Sequence, residues 1–144
     1  MMRELQIHTI IHCGDLTSPH MINYFDGFQI FLAFGNGDYQ TGEIAAQLYK
    51  LSPDNKSNSV IKINIDNCSI AAIHGNAYLD LQKMIQSGMY QYIFTGHTHV
   101  QNDVVYRQTR VINPGALHTK GYHVPTYVIF DTASRQLEFF RFNP

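Results

Sequence analysis

Charged residues are scarce in this 144-residue chain, and neither sign predominates. Lysine and arginine number 10, aspartate and glutamate number 11, and together they make up 15% of the sequence. The formal net charge is −1, and the basic residues form no cluster along the chain. Because broad binding to nucleic acid depends on a basic surface, the composition gives no reason to expect a specific nucleic-acid partner.

Long apolar stretches and cysteines are also lacking. No run approaches the roughly 18 apolar residues that suggest a membrane-spanning helix, and we see no signal-peptide pattern. The two cysteines, Cys13 and Cys68, both lie in apolar runs that predict strands. We predict two buried, reduced thiols, with a disulfide as the alternative, in a cytoplasmic protein that has no membrane partner.

The hydrophobic content is ordinary for a folded protein. At 44% hydrophobic residues, 144 residues are enough for one domain with a real core. Strand patterns are predicted at 7–13, 28–34, 60–65, 68–73, 90–95, 103–107, 109–112, 125–131 and 136–142, with a hairpin turn at Asp66-Asn67. Helices are predicted at 1–6, at 19–25 after the cap Ser18, at 42–50 after the cap Thr41, and at 78–87 before Gly88, with an exposed loop at 52–59. Strands and helices alternate through the first two-thirds of the chain and strands dominate the rest, which indicates an α/β fold.

Four predicted strands end in a glycine-containing segment that also carries a potential metal ligand. These segments are Gly14-Asp15, Gly35-Asn36, His74-Gly75 and Gly96-His97-Thr98-His99. Each segment alone is weak evidence for a metal site. A Gly-Asp pair is usually a turn, and His97 and His99 are as readily a pair of surface histidines. In α/β sheets, however, ligands bind at the carboxyl ends of the strands. Four such segments in one small chain therefore predict a metal-binding site at the carboxyl ends of these strands.

The side chains at these strand ends are one carboxylate, one amide oxygen and three imidazoles. This mixture suits a divalent transition metal rather than Ca²⁺ or Mg²⁺. We expect Mn²⁺ first, with Fe²⁺, Zn²⁺, Co²⁺ or Ni²⁺ as alternatives. Asp15 is the one candidate that can bridge two ions about 3.5–4 Å apart, an arrangement that generates hydroxide and holds a phosphoryl group for in-line attack.

The order of these motifs resembles the calcineurin-like metallophosphoesterases, and in particular their small single-domain phosphodiesterase branch. The resemblance runs from about Ile7 to the C-terminus, and its most specific part is Gly-His-Thr-His followed by Asn113-Pro114-Gly115. It implies two packed mixed β-sheets flanked by helices. It also implies a hydrolase that uses two ions on a small phosphodiester or phosphomonoester.

The resemblance further implies a role for each site residue. Asp15 would bridge both ions, and Asn36, His74 and His97 would complete the coordination of one of them. His99 would bind the other ion. On this basis Asp15, Asn36 and His74 are the predicted catalytic residues.

The chain departs from the family pattern in three ways. The family opens with a strand that ends in Asp-x-His, and the sequence contains no such triplet, so we expect a domain over residues 1–144 that lacks the family's first strand. Gly37 stands where many members carry a histidine, and Asn76 replaces the second histidine of His-Gly-His. The expected consequences are impaired activity, a preference for good leaving groups, and an open sheet edge that a second copy can pair with. A protein-binding scaffold, as in a retromer subunit of this family, is the alternative function.

The remaining polar candidates receive weaker assignments. Asp38 is expected to orient a neighbouring group rather than to act in catalysis. His118 and His123 lie near the Asn-Pro-Gly segment and face either the pocket or the surface. The other histidines, His8, His12 and His20, are assigned to packing or solvent.

Overall fold

The computed structural model describes residues 6–118 and 124–142, in which ten strands, two α-helices and one 3₁₀ helix form. The strands are β1 (Thr9–His12), β2 (Gln29–Ala33), β3 (Lys56–Asn58), β4 (Val60–Ile65), β5 (Cys68–Ile73), β6 (Tyr92–Thr95), β7 (Asn102–Tyr106), β8 (Thr109–Asn113), β9 (Thr126–Asp131) and β10 (Gln136–Arg141). The helices are the 3₁₀ helix Pro19–Phe25, α1 (Thr41–Leu51) and α2 (Tyr78–Ser87). None of the helices in these residues is long and apolar enough to cross a membrane.

The strands form three sheets. β1, β2 and β3 make a parallel sheet in that order. The largest sheet has the order β4-β5-β6-β8-β7, with β5, β6 and β8 parallel and an antiparallel strand at each edge. β9 and β10 pair separately as an antiparallel hairpin.

A sandwich core fills the space between the sheets because adjacent strand residues face opposite sides. On β2, Phe31 and Ala33 point into the central core, which also contains Ile70 and Ala72 of β5. The β9–β10 hairpin covers the same core with side chains such as Phe139. Two packed sheet layers with helices outside them confirm the predicted fold class. The three-stranded sheet, however, is purely parallel rather than mixed.

The outer faces of the two sheets are covered by helices. Ile30 and Leu32 of β2 pack against Ile44 and Leu48 of α1 and against Ile22 of the 3₁₀ helix. On the other side, the apolar face of α2 covers the outward residues of β5, β6 and β8. The predicted ligands lie in the loops that follow the carboxyl ends of β1, β2, β5 and β6.

Several local predictions are confirmed. Asp66 and Asn67 take positive φ values of 50° and 59° in the β4–β5 turn, as a tight hairpin requires. Gly88 ends α2 in the left-handed conformation with a φ of 63°. Cys13 and Cys68 are both free thiols, and Cys68 is buried as predicted, whereas Cys13 is half-buried.

Other local predictions are wrong or lie outside the described residues. The segment 52–59, predicted as an exposed loop, contains β3, because Asn55 turns inward, accepts the amide of Ile30 at 2.8 Å and donates to the carbonyl of Leu48 at 3.0 Å. Thr41 is the first residue of α1 and not its cap; Gln40 precedes it without a side-chain cap bond. The helix predicted at 1–6 falls almost wholly on residues that are not described.

Candidate metal centre

Asp15, Asn36 and His74 meet where β1, β2 and β5 end. The Nε2 atom of His74 lies 3.3 Å from Oδ2 of Asp15 and 3.1 Å from Oδ1 of Asn36. Three of the five predicted ligands, from two different sheets, therefore converge. Separations of this size are near the roughly 3 Å expected between neighbouring ligands on an ion with bonds of about 2.1 Å.

The protonation of His74 makes this cluster a fit for a cation. Its ring is 2% exposed, and Nδ1 lies 2.6 Å from the carbonyl oxygen of Cys13. A carbonyl only accepts hydrogen bonds, so Nδ1 must carry a proton. Nε2 is then the ring nitrogen that faces the two oxygen atoms, and a metal ion bound to this nitrogen and to both oxygens would satisfy all three atoms at once.

The Asp15 carboxylate is held by its own loop and by the loop after β2. Asp15 has a φ of 58°, a conformation that non-glycine residues adopt mainly in turns and functional sites. Its Oδ1 accepts the amide of Gly37 at 2.7 Å. The other oxygen, Oδ2, faces His74. One oxygen is thus used for positioning, and the other faces the candidate centre.

Asp38 joins the loops that carry Asp15 and Asn36. Its carboxylate is 4% exposed and accepts three main-chain amides, those of Asp15 and Thr17 at 2.9 Å and that of Gly35 at 2.8 Å. This geometry agrees with the orienting role expected from the sequence. Asp38 therefore fixes the main chain on both sides of the candidate centre.

Glycine is required where the loops touch. A Cβ atom on Gly14, whose φ is 95°, would lie 2.6 Å from the amide nitrogen of Gly35 and 2.7 Å from Nδ1 of His74. Such separations are too short for real contacts, so the three strand ends approach this closely only because Gly14 has no side chain.

The histidine loop after β6 is the least converged part of the site. His97 and His99 have φ values of 66° and 58°. The His97 ring is exposed, and its centroid lies 5.1 Å from that of His74. His99 contacts His118, with 3.0 Å between His99 Nδ1 and His118 Nε2. Within residues 6–118 and 124–142, no three His, Cys, Asp or Glu side chains form a ready metal cluster.

Asn113 supports the histidine loop from below. It is 2% exposed, and its Nδ2 donates to the carbonyl of Gly96 at 2.7 Å and to the hydroxyl of Thr98 at 3.0 Å. Its Oδ1 accepts the amide of Gly115 at 2.9 Å. The Asn-Pro-Gly segment thus shapes the loop that carries His97 and His99.

His12 has a second contact that the sequence did not indicate. Its ring packs edge-on against Phe25, with centroids 6.0 Å apart, as the packing assignment predicted. Its Nδ1 also accepts the amide of Gly14 at 3.2 Å and so helps to form the turn before Asp15. Burial lowers the pKa of His12, and the nearby Asp38 carboxylate opposes that shift. A histidine two residues before a Gly-Asp turn is the sequence signal for this contact.

The remaining histidines are not among the five ligands predicted from the sequence. His8 and His20 are exposed. His118 is half-buried beside His99. His123 lies outside the described residues.

Comparison with known proteins identifies relatives across nearly the whole chain. A curated phosphodiesterase of Methanocaldococcus jannaschii, MJ0936, is 30% identical over 138 residues, which cover 94% of this chain and 83% of that protein. A solved structure described as a novel archaeal phosphodiesterase superposes with a TM-score of 0.91 at 27% identity, covering 98% of this chain and 87% of the other.

A structure with lower sequence identity also shares the fold. Vacuolar protein sorting 29 of Cryptosporidium parvum has a TM-score of 0.68 at 15% identity, over 99% of this chain and 88% of that one, which is a likeness of fold alone. The family profile of the calcineurin-like phosphoesterase superfamily domain matches residues 1–135. The chain therefore belongs to the calcineurin-like phosphoesterases, a superfamily of hydrolases.

Proposed function

We propose that this chain hydrolyses phosphodiesters at a centre of two divalent metal ions at the carboxyl ends of β1, β2, β5 and β6. The observation that carries the proposal is the meeting of Asp15, Asn36 and His74, whose facing atoms are two oxygens and one imidazole nitrogen, all of which can bind a metal ion. The similarity to a curated phosphodiesterase and to a solved structure described as a phosphodiesterase supports the substrate class. Mn²⁺ as the ion and a cytoplasmic location stay predictions.

Each ligand has a role that follows from its placement. Asp15 offers Oδ2 to the centre while Gly37 holds Oδ1, so its orientation is fixed in advance. His74 is kept as a ligand by the carbonyl of Cys13, which fixes its proton on Nδ1. His97 lies beside His74 and completes the first ion's set. When bound, the ions lower the pKa of water and neutralise charge on the phosphoryl oxygens.

Neither Gly37 nor Asp38 can supply a proton to the leaving group. Gly37 has no side chain, and the next carboxylate, Asp38, is committed to three main-chain amides. A substrate whose leaving group departs without protonation is therefore favoured. We propose small phosphodiesters of this kind as substrates, with phosphomonoesters as the alternative.

The second ion is held less completely than the first. With Asp15 shared and no Asp-x-His in the sequence, His99 is the remaining family ligand for it. A loosely held second ion positions water and substrate poorly, and misplacement of about 1 Å can cost about 100-fold in rate. Weak turnover by the 144-residue chain is the expected result.

The test combines metal analysis with hydrolysis of bis(p-nitrophenyl) phosphate in the presence of Mn²⁺. Asp15→Asn should abolish turnover, because it removes the charge at the centre. Asp54→Asn, which changes an exposed carboxylate in the same chemical way, should leave turnover unchanged. Equal activity in the two variants, or no ion bound to the wild type, would contradict the proposal.

A protein-binding scaffold, the alternative function expected from the sequence, is the second candidate. The scaffold role requires none of the five candidate ligands. A protein that binds no metal and shows no hydrolysis, while folding normally, would favour the scaffold over the enzyme.

A further inference from the structure

His99 and His118 form a close imidazole pair on two different loops. His99 Nδ1 lies 3.0 Å from His118 Nε2, and the ring centroids are 4.6 Å apart with 78° between the ring planes. Both side chains are half-buried. His118 belongs to none of the motifs that define the candidate centre.

The two loops are tied to each other before any ligand arrives. Asn113 connects them, since its Nδ2 holds Gly96 and Thr98 on the His99 side while its Oδ1 holds the turn that leads towards His118. On that second loop, the hydroxyl of Thr126 donates to the carbonyl of Pro114 at 2.7 Å. A pair of ligands on braced loops loses little freedom when an ion binds.

The backbone of His99 supports the same conclusion. Its φ of 58° is unfavourable for a residue with a side chain. Such conformations persist where surrounding contacts enforce them, and they are common at functional sites. In this conformation the His99 ring meets His118.

We propose that His118 is a metal ligand and that His99 and His118 together hold the second ion. Two nitrogens bound at right angles to an ion with bonds of about 2.1 Å are about 3.0 Å apart, and the hydrogen-bonded pair already holds its nitrogens at that separation. Imidazole suits Zn²⁺, Ni²⁺, Cu²⁺ and Fe²⁺. The inference rests on the proposed function in taking His99 as a ligand, and it gives the second ion a histidine in a chain without Asp-x-His.

Calorimetric titration of chelator-treated protein with Ni²⁺ tests the pair. The wild type should show two binding events, one tight and one weaker. His118→Gln should remove the weaker event and leave the tight one. Glutamine still hydrogen-bonds to His99, so a pair with a structural role alone predicts that both events survive in this variant. His20→Gln, at an exposed histidine, is the matched control and should keep both events.

Two further measurements keep the outcomes separate. His74→Asn should remove the tight event and leave the weaker one. If it removes neither event, the proposed first site is wrong, and the His118 inference is then decided by the His118→Gln variant alone. In wild-type protein, Zn²⁺ should shift the NMR signals of the His99 and His118 rings together, which does not depend on any variant folding. A weaker event that persists in His118→Gln, or ring signals unmoved by Zn²⁺, overturns the inference.

Discussion

The imidazole of His74 donates its Nδ1–H to the carbonyl oxygen of Cys13 across 2.6 Å. This bond joins the end of β5 in the five-stranded sheet to the segment after β1 in the three-stranded sheet. It also determines which ring nitrogen is available, because Nε2 alone can act as a ligand. The hydrogen bond that joins the two sheets and the proposed metal binding thus depend on different atoms of one side chain.

Substitutions at His74 should therefore separate stability from metal binding. In His74→Asn, the amide Nδ2 stands near the position of Nδ1 and can still donate to Cys13, while the ligand nitrogen is lost. His74→Ala leaves the buried carbonyl without a donor, at a cost of about 1–3 kcal/mol. We expect both variants to lose the tightly bound ion and the alanine variant alone to lose the larger part of its stability. Denaturant unfolding and metal analysis measure the two effects; equal destabilisation would show that the hydrogen bond contributes little.

Asp38→Asn should weaken both the fold and the site. An amide presents one oxygen and one NH₂ group where the carboxylate accepts three main-chain amides. At least one N–H then faces another donor, which should cost about 1–3 kcal/mol. Because the amides belong to the Asp15 and Asn36 loops, the affinity for the first ion should fall as well. Asp54→Asn is the control, and a wild-type metal affinity in Asp38→Asn would rule out the positioning role.

Two glycine-to-alanine substitutions should have opposite effects. Gly14→Ala places a Cβ within 2.6–2.8 Å of three atoms at a φ of 95° and should destabilise the protein strongly. Gly42→Ala lies in α1 with nothing within 4 Å of the new Cβ. That change should stabilise the protein by up to about 1 kcal/mol through helix propensity. Thermal unfolding of the two variants checks the contrast, and a neutral Gly14→Ala would mean that the strand ends can move apart.

Part of this architecture is predictable because it depends on local sequence. Apolar alternation locates the strands, and Asp66-Asn67 specifies the hairpin turn. β3 was missed because its residues Lys56–Asn58 are polar, and its pairing with β2 depends on Asn55 reaching two distant main-chain groups. The local strand preference of a residue does not reflect contacts of this kind, which form only in the folded structure.

The candidate site likewise has a part that is predictable from the sequence and a part that is not. Strand-end glycines and ligand-type side chains locate Asp15, Asn36 and His74 without a structure. The three amides gathered by Asp38, and the meeting of His99 with His118, arise only when distant loops are brought together. Sequence spacing therefore predicts which candidate ligands meet better than it predicts the groups that hold them.

The thiol of Cys13 should be inert in the folded protein. Burial raises its pKa from 9.0 to about 12. The unfolded chain therefore releases this proton at lower pH than the folded chain does, and stability attributable to Cys13 is complete below pH 9 and lost as the pH rises towards 12. A thiol reagent at pH 8 should modify Cys13 slowly until denaturant is added. Rapid modification of the native protein at this position would show that the Asp15 loop opens readily.

The ion pair between Asp103 and Arg110 should contribute a small, pH-dependent stability at the β7–β8 edge. The two residues are diagonal neighbours, since Arg110 pairs with Val105 across the strands, and the guanidinium contacts both carboxylate oxygens at 2.7–2.8 Å. The hydrogen bonds from Arg110 lower the pKa of Asp103 below its usual value of 3.8. Stability from the pair is therefore present above that value and is lost as the pH falls through the lowered pKa.

The size of this effect is limited by solvent. Both side chains are about 30% exposed, so the pair should be worth about 0.5–1 kcal/mol or less. Asp103→Asn should lower the free energy of unfolding by about this amount at pH 7, and the deficit should shrink as the pH falls through the lowered pKa of Asp103 or as salt is added. Urea unfolding of wild type and variant at several pH values measures the difference, with Asp54→Asn as an unpaired carboxylate for comparison. A deficit that stays constant down to low pH would mean that Asp103 acts through packing on β7 rather than through its charge.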